Sequence, residues 1–143
     1  MKVRHILATK GSSVLTVGEA QLVREVIALM DGRRIGAVLV VDPAGQLVGI
    51  FSERDVLHYA AQDEQNLFTR PVSDLMTRKL ITGTPQDDVY SVAHTMTERR
   101  IRHLPILDEG RLVGIISIGD ILKAQRDAYR GEIDTLETQL LES

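Results

Sequence analysis

The sequence predicts a mixed α/β (α+β) fold in which one β-α-β-β-α unit is used twice and a helix follows. Three observations predict it. First, the 143-residue chain repeats itself: Gly45-Gln46-Leu47-Val48-Gly49-Ile50-Phe51-Ser52-Glu53-Arg54-Asp55-Val56-Leu57, laid over Gly110 to Leu122 at an offset of 65, is identical at 8 of 13 positions. One residue of slip upstream makes the offset 66, and Thr16 meets Thr82, Val26 meets Val92, Met30 meets Met96, and Arg33-Arg34-Ile35 meet Arg99-Arg100-Ile101. Self-similarity of this kind marks a repeated supersecondary unit. Second, within each copy a stretch of helical period alternates with short aliphatic runs. Third, a unit of about 55 residues has too small a core to stand alone. Two copies packed sheet to sheet, related by a pseudo-two-fold axis, would bury each other.

The elements follow in order. The lead-ins correspond loosely, Val3-Arg4-His5-Ile6-Leu7 against Val72-Ser73-Asp74-Leu75-Met76. Val14-Leu15-Thr16-Val17 is a short extended start, and Leu22, Val23, Val26, Ile27 and Met30 then recur at helical spacing. Ile35 to Val41 reads as a strand, Asp42-Pro43-Ala44-Gly45 as a turn and Leu47 to Phe51 as a second strand. The second copy places Val89, Val92, Ala93 and Met96 on its helix, and its two strands flank the shorter turn Asp108-Glu109-Gly110. Runs apolar on both faces predict strands covered on both sides. The boundaries expected are residues 1–62 for the first repeat, 63–71 for a polar linker, 72–126 for the second repeat and 127–143 for a terminal helix. That helix runs on from Asp120. Tyr129, Ile133, Leu136 and Leu140 fall on it at 4-3-4 spacing, a coiled-coil seam interrupted by Gly131. The pattern suits either a helix packed on its own domain or a dimer contact.

Composition narrows the function. Seventeen Lys and Arg against 20 Asp and Glu give a net charge of −3, which lacks the basic excess of a phosphate-backbone binder. With aromatics at 3% there are few stacking platforms for single-stranded nucleic acid. The absence of cysteine excludes disulfides, thiol nucleophiles and thiolate metal sites. His5, His58, His94 and His103 are scattered, with none paired at ligand spacing. Asp63-Glu64, Asp87-Asp88 and Asp108-Glu109 fall in turns or helix starts, where acids cap and solvate. No Gly-rich phosphate loop, nucleophile elbow or zinc-helix motif is present. No apolar run reaches membrane-spanning length, and no signal-peptide core follows Met1. The expectation is a cytoplasmic binding protein rather than an enzyme, with no metal, membrane or nucleic-acid partner.

The residues with chemical potential are Gly49-Ile50-Phe51-Ser52-Glu53-Arg54-Asp55 and its twin Gly114-Ile115-Ile116-Ser117-Ile118-Gly119-Asp120. In each, a strand ends and a helix begins. Ser followed three residues later by Asp is a helix-capping pattern. It also suits a ligand. A glycine inside a strand costs stability unless some group approaches the backbone closely, and a helix start with free amides attracts phosphate. A carboxylate one turn in can accept hydrogen bonds from a ribose diol. The two readings do not exclude each other.

The doubled Gly-apolar-x-Ser-x-x-Asp motif, with Arg102-His103-Leu104-Pro105-Ile106, resembles a tandem pair of cystathionine-β-synthase (CBS) domains, the Bateman module, over about residues 1 to 126. The Ser-Glu-Arg-Asp form and the terminal helix are similar to the small stand-alone bacterial type. The resemblance implies clefts between the repeats that hold adenosine ligands: AMP foremost, or ADP, ATP, NAD(H) or S-adenosylmethionine, with no metal required. One site would join Ser52, Arg54, Asp55 and Lys79 to Thr82, Arg102, His103, Leu104 and Pro105. There Asp55 would hold ribose, strand backbone near Thr82 and Leu104 would read adenine, and Arg54, Arg102 and His103 would neutralise phosphate. The other would join Ser117, Gly119 and Asp120 to Thr16, Gly36, Ala37 and Val38. Gly119 stands where Arg54 does, and Gly36-Ala37 where Arg102-His103 do, so this second set lacks up to three positive groups. The resemblance also implies a homodimer that senses energy or redox state and reports to a regulated protein. A ligand-free dimerisation scaffold is the alternative.

Overall fold

The computed structural model describes residues 1–11, 14–62 and 65–142, so Asp63 and Glu64 of the expected linker and the terminal Ser143 lie outside the described residues. In chain order the elements are α1 (Val3–Lys10), β1 (Thr16–Gly18), α2 (Val23–Arg33), β2 (Ala37–Val41), β3 (Leu47–Ser52), α3 (Glu53–Ala60), two 3-10 turns (Leu67–Thr69 and Val72–Asp74), α4 (Val89–Arg99), β4 (His103–Asp108), β5 (Arg111–Ser117) and α5 (Ile118–Glu142). Among the described residues no helix is long and apolar enough to cross a membrane.

These elements form two compact units, and the units do not coincide with the sequence repeats. One is Ser13–Ile81; the other is Met1–Ser12 together with Thr82–Ser143. Each repeat's lead-in therefore belongs with the strands and helices of the other repeat. Three backbone bonds of the attachment recur at equivalent positions in both. In the first unit the amide of Val23 donates to Arg70 (2.9 Å), Val72 to Gln21 (2.7 Å) and Ser73 to Glu19 (3.1 Å). In the second, Val89 donates to Met1, Val3 to Asp87 and Arg4 to Pro85, each at 2.9 Å. The loose lead-in similarity is thus a true structural equivalence.

In the first unit the sheet order is β1-β2-β3. β1 runs parallel to β2 with Thr16 opposite Leu39, and β2 runs antiparallel to β3 with Ala37 opposite Ser52. The turn between them is built on Asp42, whose carboxylate accepts from the amides of Ala44 (3.0 Å) and Gln46 (2.9 Å). In the second unit β4 and β5 pair antiparallel, from His103 opposite Ser117 to Asp108 opposite Arg111. The expected opening strand around Thr82 shrinks there to a single parallel bridge, Gly83 with Ile106. Prolines explain the difference. Gly83 donates to Pro105 and accepts from Leu107, both at 2.9 Å. The next bond in either direction would need an amide hydrogen on Pro105 or Pro85, and proline has none. In the first unit Glu19 occupies the position of Pro85 and donates to Val41.

The core of the first unit gathers Val17, Val23, Val26, Met30, Val38, Val40 and Phe51 with Leu67, Val72, Leu75 and Met76 from the following segment. The second unit buries Val3 and Ile6 of α1, Val89, Val92 and Met96 of α4, Leu104, Ile106 and Ile116 of the strands, and Ile121 at the start of α5. The lead-ins account for the strand glycines. A Cβ built on Gly49 would collide with Met76 Sδ and stand 2.9 Å from its Cγ, while one on Gly114 would stand 2.5 Å from Leu7 Cδ2. The group that approaches the strand backbone is the protein's own side chain. This corrects the expectation that the glycines leave room for a ligand.

Gly49→Ala should therefore cost about 1–3 kcal/mol of stability through overpacking. In urea denaturation, its cost should shrink in the presence of Met76→Ala, a coupling that a purely local backbone effect would not produce.

Candidate ligand site

The two Ser-x-x-Asp motifs sit where β3 passes into α3 and β5 into α5. The joint is fixed to the neighbouring strand by one backbone bond in each unit: Glu53 N–H to the Gly36 carbonyl and Ile118 N–H to the Arg102 carbonyl, both 3.0 Å. The Ser52 amide donates to Asp55 Oδ2 (2.9 Å), and the Asp55 amide donates back to Ser52 Oγ (3.4 Å). Ser117 and Asp120 repeat the exchange at 2.8 and 3.0 Å. The capping reading thus holds in both copies: reciprocal bonds satisfy amides that the first helical turn would leave orphaned.

Beyond the cap, the two carboxylates differ. Asp55 Oδ1 accepts from the hydroxyl of Thr77 at 3.2 Å. Asp120 Oδ2 accepts from the ammonium of Lys10 at 2.6 Å, and the same ammonium donates to the Ile115 carbonyl at 2.7 Å. Burial pushes the Asp120 carboxyl up, but the Lys10 bond and charge and the Ser117 bonds outweigh it, and the net is a group held below its ordinary value.

The structure distributes the predicted residues evenly. The first unit holds Ser52, Arg54, Asp55 and Lys79 of one set and Thr16, Gly36, Ala37 and Val38 of the other; the second holds Thr82, Arg102, His103, Leu104 and Pro105, and Ser117, Gly119 and Asp120. Within the first unit, Ser52 lies opposite Ala37 at the end of the sheet where β1 and β2 begin and β3 finishes. Within the second, His103 lies opposite Ser117 at the corresponding end. Thr16, Arg54, Lys79, Thr82, Arg102 and Gly119 are exposed, Ser52, Asp55, Gly36, His103, Ser117 and Asp120 are half-buried, and Ala37, Val38, Leu104 and Pro105 are buried. Of the last four, Ala37, Val38 and Leu104 belong to the buried apolar core, which leaves their backbone as the part suited to a ligand contact.

Sequence reasoning missed Lys10. Lys10 supplies a cation beside Asp120 that the second set of predicted residues did not contain. A signal was present: extending the match of Val3–Leu7 with Val72–Met76 by three residues sets Lys10 opposite Lys79. Lys10 and Asp120 also border an open groove of about 470 Å3 between α1 and α5, lined further by His5, Ile6, Lys123 and Asp127.

A family model described as the CBS domain matches twice, over residues 3–62 and 72–127. Among solved structures, a CBS-domain protein of Agrobacterium tumefaciens is 36% identical with a TM-score of 0.85, covering 87% of this chain and 99% of its own. A CBS-domain protein of Pyrobaculum aerophilum complexed with AMP is 27% identical with a TM-score of 0.74, covering 84% of this chain and 89% of its own. The CBS-domain pair of protein MJ0100, in complex with 5′-methylthioadenosine and S-adenosyl-L-methionine, is 26% identical with a TM-score of 0.79, covering 90% and 98%.

The Lys10–Asp120 pair makes a prediction in acid. A carboxyl whose pKa is depressed by folding adds stability above its unfolded pKa and loses it as pH falls through the folded value. The stability of wild type over Lys10→Met should therefore persist at neutral pH and decline below about pH 4, as read from urea midpoints across pH 2.5–7.

Proposed function

This chain belongs to the CBS-domain family, and from that premise we propose that it is a non-catalytic, cytoplasmic regulatory module that senses energy or redox state by binding an adenine nucleotide. AMP is the foremost ligand; ADP, ATP and NAD(H) are the others. The observation that carries the reading is the doubled Ser-x-x-Asp box whose carboxylate already accepts hydrogen bonds from a replaceable donor, the Thr77 hydroxyl or the Lys10 ammonium. A ribose diol is a pair of hydroxyl donors: it takes the place of the Thr77 hydroxyl like for like, and at Asp120 it replaces the donor but not the charge of Lys10. The AMP complex of the Pyrobaculum relative and the methylthioadenosine and S-adenosylmethionine complex of MJ0100 support an adenosine ligand. Arg54 in the first unit, and Arg102 and His103 in the second, supply cations of the kind that a phosphate takes up, and the planar guanidinium fork suits it. Binding favours one arrangement of the module over another, and a regulated partner reads the arrangement.

The test is thermal unfolding with AMP, ADP, ATP, NAD, NADH, S-adenosylmethionine and 5′-methylthioadenosine. A ligand at about 100 times its dissociation constant adds roughly 2.7 kcal/mol. The expected result is an upward shift of the midpoint with at least one of the seven, largest for AMP. Asp55→Ala should reduce the shift, and Asp55→Ala with Asp120→Ala should abolish it, each substitution lowering the ligand-free stability by about 0.5–2 kcal/mol, the worth of a cap. Asp55→Asn keeps an acceptor for the Ser52 amide, so it should stay close to wild type in stability while weakening binding about tenfold, the worth of about 1.4 kcal/mol in a charge-assisted bond. No shift with any of them at millimolar concentration would overturn the sensor reading in favour of a ligand-free scaffold.

A further inference from the structure

We propose that the distal half of α5 pairs antiparallel with the same segment of a second copy of this chain. α5 is anchored at its start, where Ile121 is buried. From Arg126 to Glu142 every residue is exposed. A lone helix of that length is marginal in water, and most helical stability comes from covering an apolar face. The face is present: Tyr129 is 63% exposed, Ile133 52%, Leu136 59% and Leu140 75%. They occupy successive d, a, d and a positions of a heptad frame. Gly131 falls at f, on the outer side of that frame, with nothing within 4 Å of a Cβ built there. It therefore does not interrupt the seam.

The flanking charges choose the occupant and its direction. In this frame Arg130 and Glu137 are e positions and Glu132 is a g position. Two copies in parallel register would set Glu132 of each against Glu137 of the other, two like-charge contacts. In antiparallel register, a residues pack against d residues: Ile133 meets Leu136 and Tyr129 meets Leu140, each twice by symmetry. The same register sets Arg130 against Glu137 twice and Glu132 against the neutral Gln139 twice, with no like-charge contact. The segment is self-complementary in one direction only. Four apolar layers make a short interface, below the standard size of roughly 1,600 Å2, so association is concentration-dependent.

Because the chain has no cysteine, introduced thiols report the pairing whatever other contacts the protein makes. Full-length Ile133→Cys and Leu136→Cys are mixed and oxidised, and each is also oxidised alone. The expected result is disulfide-linked dimer in the mixture, containing one chain of each kind, with each variant alone giving several-fold less. Adding Glu137→Arg to both chains should lower the yield by bringing arginines together, and adding Arg130→Glu as well should restore it. Parallel pairing predicts the opposite for Glu137→Arg, which would relieve the repulsion from Glu132 and raise the yield. No cross-link in the mixture, which would leave the face to some other occupant, overturns the proposal. So does a greater yield from the single variants than from the mixture.

Discussion

The constraint on which the rest of this structure depends is the exchange of lead-in segments. Each lead-in is held by three backbone hydrogen bonds to the turn and helix start of the other repeat. Each also lays one apolar side chain, Met76 or Leu7, over a glycine in the middle of a strand. A side chain on that glycine would force Met76 or Leu7 to move. The exchange also completes the motif: the donors to the two carboxylates, Thr77 and Lys10, lie one and three residues beyond those side chains. The same contact that closes the core therefore delivers a polar group to the start of α3 and of α5. Stability and the candidate site share one cause.

This also decides what could be read from the sequence. The repeat was legible because identity at a constant offset needs no structural knowledge, and the cap was legible because Ser-x-x-Asp acts within a single turn. The turn on Asp42 was local in the same way. The lead-in exchange was not legible, since similarity of Val3–Leu7 to Val72–Met76 says that the segments are equivalent but not which strands they lie on. The strand glycines were misassigned for that reason: an approaching group was inferred correctly, but it is Met76 or Leu7 rather than a ligand. The lost strand near Thr82 was readable in principle from Pro85 and Pro105. It required knowing that both missing amides fall on one parallel ladder. Lys10 reaches Asp120 across 110 positions of chain, a contact that no local pattern encodes.

The two copies have kept the scaffold and diverged in charge. At Asp55 the replaceable donor is a neutral hydroxyl and the neighbouring helix position is Arg54; at Asp120 the donor is an ammonium and that position is Gly119. A ligand that takes over Asp55 displaces a neutral group, so no charge is left uncompensated. One that takes over Asp120 strips Lys10 of its counter-charge, an electrostatic penalty that an uncharged nucleoside leaves unanswered. An anionic group on the same ligand restores the balance by pairing with Lys10. The Ser117–Asp120 half is poorest in cations when only the aligned motifs are compared, yet its carboxylate is the one of the two that carries an ammonium partner. The distinction arises from a residue outside both motifs, and the lead-in exchange puts it there.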